Sequence, residues 1–117
     1  MPISIRLNNV HFTNINKFGK LEFIVSDDQK EKLLNIYDTL VVENHPFVSK
    51  KNNIIKITYK ENKYSLMSME DVEGFVGRIV NVEASVNPIY VKNIKDLSSK
   101  IKIAYIKLKY MELPIIE

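Results

Sequence analysis

The chain opens on an alternation. Ile3, Ile5 and Leu7 are apolar while Ser4, Arg6 and Asn8 are polar, the two-residue period of a strand with one face in a core and one in water. Val10 and Phe12 take up the other parity, so a bulge or bend is predicted at Asn8-Asn9, where an extra residue turns the buried face over. Thr13 to Gly19 is polar apart from Ile15 and Phe18 and reads as a connection. Leu21 to Val25 is the next strand, which makes a first hairpin.

Ser26 begins the clearest helix. Its hydroxyl can take a free N–H, Gln29 stands where a capping box needs its partner, and Asp27 and Asp28 meet the positive helix end. Leu33, Leu34, Tyr37 and Leu40 recur at spacings of three and four, an apolar stripe able to close one side of a sheet. The residue before a proline disfavours helical geometry, so the helix is expected to stop before Pro46, near Val41 to Glu43.

Asn44 to Asn53 reads as an exposed connection, with Phe47 and Val48 beside Lys50 and Lys51. Ile55, Ile57 and Tyr59 then face one way and Lys56, Thr58 and Lys60 the other, a strand with a wet basic face. A turn at Glu61-Asn62 predicts Lys63 to Met67 as its antiparallel partner, with Tyr59 and Tyr64 close across the hairpin. Ser68 can cap a short helix over Met69 to Glu73, and Gly74 and Gly77 bracket the return into the sheet.

Val80, Val82, Ala84 and Val86 share a parity in the following strand, which Asn87-Pro88 is expected to end, leaving Tyr90 in a loop. Ile94 to Leu97 reads as a helical turn or equally as loop. The last strand begins at Lys100. Its apolar face changes from Ile101, Ile103 and Tyr105 to Leu108 and Tyr110 past Ile106, the mark of a bulge or of a crossing between layers. Five or six strands and one substantial helix in 117 residues predict a mainly-β single domain over 1–117, a small Greek-key barrel of the oligonucleotide-binding (OB-fold) type.

Composition narrows the chemistry. Three glycines and four prolines leave no Gly-rich phosphate loop and no flexible linker. With no cysteine, disulfides, thiolate zinc sites and cysteine nucleophiles are excluded, and an intracellular setting in cytoplasm or nucleus is expected. The start lacks a basic segment followed by a long apolar run, and no apolar stretch is long enough to span a bilayer, so no membrane partner is expected.

His11 and His45 lack a second histidine at metal-ligand spacing, and the acids at 27–28 and 70–73 are explained by helix starts. Nothing selects the converging carboxylates of a two-metal nuclease. The expectation is a protein that is not an enzyme and that uses no metal and no cofactor.

Charge adds the positive side of the picture. The formal net charge of +3 is modest, but Lys50 to Lys63 holds five lysines against one acid, and Lys92 to Lys109 holds six against one. Concentrated positive charge steers anionic partners. Lys50, Lys51, Lys56, Lys60, Lys63, Lys92, Lys102, Lys107 and Lys109 are candidate phosphate contacts, with Arg78 as a possible clamp beside Gly77.

Phe47, Tyr64 and Tyr90 are candidate platforms for stacked bases. Tyr59 and Tyr105 are of the right type, but they share parities with Ile55 and Ile57 and with Ile101 and Ile103, which argues for core. The competing reading of the lysines is that they solvate faces and blunt strand edges, and of Arg78 that it is a surface ion-pair partner.

The order strand, strand, helix, basic hairpin, then "GFVGRIVNVEASV" and a terminal strand resembles the layout of small viral or phage single-stranded DNA-binding proteins with an OB fold. The resemblance covers most of the chain and assigns no residue a role. It implies sequence-independent binding of single-stranded DNA or RNA, DNA foremost, and a part in DNA replication. The other expectation is a structural or interaction domain, forming a homodimer or docking on a larger assembly through its last strand and Leu113, Ile115 and Ile116.

Overall fold

Among the described residues, alternation and capping build five strands and two helices: β1 (Ile3–Ile15), β2 (Lys20–Ile24), α1 (Asp27–Thr39), β3 (Ile54–Thr58), α2 (Met69–Glu73), β4 (Ile79–Lys92) and β5 (Lys100–Glu112). The structure, a computed structural model, describes residues 2–42, 45–92, 95–96 and 100–115. The expected mainly-β class with one substantial helix is what it shows. The strands lie in the order β1-β2-β3-β5-β4, and β4 pairs back onto β1, so the sheet closes on itself. Every pairing is antiparallel except that of β3 with β5, which meet in parallel at Thr58 and Lys107.

The inward positions fill the closed sheet. Phe12 stacks on Phe23 with ring centroids 4.8 Å apart, among the buried Leu7, Leu21, Ile55, Ile57, Val82 and Ile106. Both parities of β1 reach this core because the register shifts between Leu7 and Val10. At the shift Asn9 takes φ +57°, and its N–H donates to Asn81 Oδ1 at 3.0 Å. Asparagine tolerates this left-handed conformation better than most residues.

Helix α1 starts as the sequence requires. Ser26 Oγ accepts from Gln29 N and Gln29 Oε1 accepts from Ser26 N, a complete capping box. Gln29 Nε2 also donates to the Asn8 carbonyl at 2.6 Å, tying the helix start to the bulge in β1. The helix buries Leu33 and Tyr37, and the Tyr37 hydroxyl donates to the carbonyl of Ala104 in β5 at 2.6 Å. Burial pushes that phenol well above its ordinary pKa, so it remains a donor. The helix ends at Thr39, ahead of the expected Val41 to Glu43. Val41 adopts φ +56° and Val42 N donates back to the Tyr37 carbonyl, so the chain turns before Pro46 acts.

Three expectations are corrected. Lys63 to Met67 is not a strand, and no hairpin brings Tyr64 against Tyr59. Asn62 Oδ1 accepts from Tyr64 N, Ser65 Oγ accepts from Asn62 N, and Ser65 N donates to the Asn62 carbonyl. Such local bonds compete with a ladder, and both flanks of β3 are already paired, with β2 and with β5.

Asn87-Pro88 does not end β4, which runs on to Lys92 with Pro88 opposite Ala104. Past Val86, opposite Ile3, β1 has stopped. That flank of β4 is an edge, where a residue without an N–H is tolerated. Tyr90 therefore stands on a strand and not in a loop. The third correction is the buried face of β5, which comprises Ala104, Ile106 and Leu108, while Ile103 and Tyr105 are only partly buried. The phase turns over later, at Lys109, which is the extra residue between Leu108 opposite Ala84 and Tyr110 opposite Glu83. Ile94, Leu97 and Ile116 lie outside the described residues.

The consequence is a two-stranded ribbon. From Val86 to Lys92 it continues past β1 for about 20 Å at roughly 3.3 Å per residue, and the molecule is correspondingly long, 52 × 33 × 24 Å.

Tyr37→Phe removes the donor that Ala104 uses inside the core. It is expected to lower the unfolding free energy by about 1 to 3 kcal/mol with an unchanged denaturant slope. Wild-type stability in a urea titration would show that the Tyr37–Ala104 bond does not help to hold α1.

Candidate nucleic-acid interface

Strand alternation puts Lys56 and Thr58 on the outer face of β3, where Glu22 and Lys20 of β2 are their direct partners. Lys20 Nζ donates to Thr58 Oγ1 at 3.1 Å and lies 4.2 Å from the centroid of the Phe47 ring. Phe47 is seated by the backbone, since Lys56 N donates to its carbonyl at 2.8 Å and buried Val48 bridges to Ile55. A hollow of about 280 Å³ beside it is lined by Glu22, Phe47, Ser49, Asn52 and Lys56 among others. Lys50 and Lys51 follow on a turn held by Ser49 Oγ, and both are exposed. Partial burial, and secondarily the charge of Lys56, lower the Lys20 pKa from its ordinary value.

A second hollow opens where β3 ends and β5 continues. It is a groove of about 260 Å³, with Lys60, Tyr64 and Leu66 along one side and Lys107 and Lys109 along the other. Tyr64 is 81% exposed, and Lys63 Nζ lies 5.1 Å from its ring centroid. Lys109 contributes its stem to the groove, because its ammonium donates to Ser4 Oγ on β1 at 2.9 Å. Glu61 is turned toward α2, where its carboxylate accepts from Met69 N.

The turn between β1 and β2 supplies residues that the sequence reading passed over. Gly19, at φ +77°, comes so close to β3 that a Cβ would lie 2.5 Å from the Tyr59 carbonyl oxygen, and Tyr59 N donates to the Gly19 carbonyl at 2.9 Å. Only glycine fits that approach. It sets the turn against the end of β3, beside Lys60. In that turn Phe18 is 75% exposed, with Lys17 Nζ 5.1 Å from its ring centroid. The signal was in "NKFGK", an aromatic between lysines in a turn with no periodic reason for burial.

Of the residues chosen from sequence, Phe47 and Lys56 flank one hollow, with Lys50 and Lys51 on the turn beside it. Lys60, Tyr64, Lys107 and the stem of Lys109 line the other, with Lys63 over Tyr64. Tyr90, Lys92 and Lys102 stand apart on the ribbon, Tyr90 67% exposed and opposite Lys102. Arg78 is exposed in the turn before β4, bonded through its backbone to Phe12 and Phe75, and lines neither hollow. Tyr59 is buried, with its hydroxyl donating to the Met67 carbonyl, and is core as its parity indicated. Tyr105 departs from the core reading: it lies on the same side of β5 as Lys107.

The far side, where β1, β4 and β5 run together, has its charges matched. Arg6 bonds Glu83 at 2.8 Å and Glu112 at 2.7 Å, and the Tyr110 hydroxyl donates to Glu112 at 3.3 Å. The guanidinium holds the Glu112 carboxyl below its ordinary pKa. Among the described residues no group of His, Cys, Asp and Glu is arranged to hold a metal ion, and no helix is long and apolar enough to cross a membrane. Comparison with protein families, with curated proteins and with solved structures gives no match for this chain.

Gly19→Ala introduces a clash with a backbone carbonyl as well as a strained φ. A loss of more than about 1 kcal/mol is expected, together with shifted amide resonances at Tyr59 and Lys60. A variant as stable as the parent would show that the turn does not need this approach.

Proposed function

We propose that this chain is a non-catalytic, largely sequence-independent binder of single-stranded nucleic acid, DNA foremost, and that its closed sheet is a small Greek-key barrel of the OB type. The strand order β1-β2-β3-β5-β4 and the parallel contact of β3 with β5 support the barrel reading. OB barrels bind oligonucleotides on the face of their second and third strands and with the β1–β2 and β4–β5 connections. Here the face of β2 and β3 carries Lys20 and Lys56, with Phe47 of the α1–β3 connection seated beside them, and the β1–β2 turn carries Lys17 and Phe18. The layout resemblance to small viral or phage single-stranded DNA-binding proteins points the same way, toward DNA replication inside a host cell.

One observation carries the function. Phe18, Phe47 and Tyr64 each have a lysine ammonium near the ring, at 5.1, 4.2 and 5.1 Å from the centroid. A nucleotide has a flat base and an anionic phosphate, so a ring with an ammonium over one face can offer its other face to the base and its charge to the phosphate. Every base offers a π-face, which is why such pairs tolerate any sequence, and each stacked base contributes about 1 to 3 kcal/mol. Duplex bases are stacked on each other and cannot use the rings, so the preference is for single strands. Lys20, already depressed by burial and by Lys56, gains from a phosphate that offsets the repulsion.

A second reading, a homodimer or a docking domain on a larger assembly, is favoured by a different observation. Ile89, Val91, Ile103 and Tyr105 share one face of the ribbon, and Leu113 and Ile115 are exposed beyond β5. Sedimentation that stays monomeric at high protein concentration would remove the dimer form of this reading.

Fluorescence anisotropy with labelled single-stranded DNA, single-stranded RNA and duplex DNA tests the proposal. Single strands are expected to bind best, with log K falling linearly in log salt by about 0.7 per phosphate neutralised. Phe18→Ala and Tyr64→Ala should each weaken binding by roughly 5- to 100-fold. Absence of single-strand binding at low salt, or equal affinity for duplex, would contradict it.

A further inference from the structure

The β4–β5 ribbon has two unlike faces. Its register runs unbroken from Ser85 opposite Lys107 to Lys92 opposite Lys100, so side chains alternate strictly between the faces over that length. Lys107, which lines the groove, and Tyr105 are on one face. Tyr90, Lys92, Lys100 and Lys102 are on the other.

On that second face Tyr90 is well exposed, and Lys102 Nζ lies 6.0 Å from its ring centroid. Lys92 is placed directly across from Lys100. Like charges directly opposite each other in an antiparallel pair are destabilising, and the stretches 87–92 and 100–105 themselves carry three lysines and no acid. An exposed ring among ammonium groups repeats the combination found at the groove. The occupant whose charge and shape complement it is a strand of phosphates and flat bases.

We propose that this face is a second single-strand contact, so that one molecule holds two segments of one nucleic-acid strand and bends it round the ribbon. The inference rests on the reading of the groove as a single-strand interface. A strand lying along Lys107 cannot reach Tyr90 and Lys102 on the same face, because the ribbon itself lies between them. It has to cross an edge, and the β4 edge is unpaired beyond Val86, where β1 stops at Ile3, whereas β5 carries Tyr37 of α1 on its Ala104 carbonyl. Crossing bends the path and draws the ends of a long strand together, while a short strand occupies the groove alone.

Energy transfer between dyes on the two ends of oligothymidylate tests this at one protein per strand. A short strand of about 10 nucleotides lies within the site size of a single fold, and one about four times longer exceeds it. The wild type should bind both and bring the ends of the long strand closer. The double variant Tyr90→Ala, Lys102→Ala should bind the short strand with wild-type affinity, bind the long one about 10-fold more weakly, and leave its ends apart. Lys92→Gln with Lys102→Gln, which keeps the ring, should give the same loss of end approach without disturbing the fold. Unchanged end approach in the variants, or wild-type binding of the long strand with no approach of its ends, would overturn the proposal. Failure of the wild type to bind the short strand would instead overturn the reading of the groove.

Discussion

Closure of the sheet depends on one brief parallel contact, Thr58 of β3 against Lys107 of β5. Strand β3 is 5 residues long, whereas β4 and β5 have 14 and 13. A core needs only as much strand as it can cover, so the excess must lie outside it. On one side of the contact the chain leaves β3 and folds into the turn around Asn62, which opens the groove against β5. On the other, β4 and β5 run past the end of β1 as a ribbon. The groove and the ribbon, two of the surfaces proposed to bind, come from that mismatch in strand length.

The charges are divided in keeping with this. On the far side, Glu83 and Glu112 are drawn onto Arg6. Exposed pairs of this kind contribute little to stability, but they neutralise carboxylates that would repel a polyanion. The folded-state pKa of Glu112 is depressed, so its contribution is present above the ordinary carboxylate value and is lost as pH falls through the lowered one. It is therefore constant around neutrality. On the near side the lysines stand beside rings, Glu61 is turned away toward α2, and Glu22 stays beside Lys56 in the Phe47 hollow. That division, more than the small net charge, gives the molecule a face suited to phosphate.

Much of the fold could be read from local signals. The parity change at Asn8-Asn9 located the bulge, Ser26 with Gln29 located the helix start, and Ser68 located α2, because each depends on residues within a few positions of one another. What failed depended on distant partners. Pro88 reads as a strand end until it is known that β1 has already stopped alongside. Lys63 to Met67 reads as a return strand until both flanks of β3 are seen to be occupied. Tyr105 shares a sequence parity with two isoleucines, yet the tertiary register puts Ala104, Ile106 and Leu108 inside. At the candidate site the lysines and Tyr64 were legible as an exposed basic run. Phe18 had a signal too, as an aromatic between lysines in a turn, but its place beside β3 did not, because that comes from the passage of Gly19 against Tyr59, a contact between positions far apart in the chain.

The most direct test of the central claim is a map of amide chemical shifts on addition of a short oligothymidylate. Changes are expected at Lys17 to Lys20, at Phe47, from Lys56 to Tyr64 and at Lys107, with Arg6 and Glu83 unmoved. Changes centred on Arg6, Glu83 and Glu112, or none at all, would contradict it.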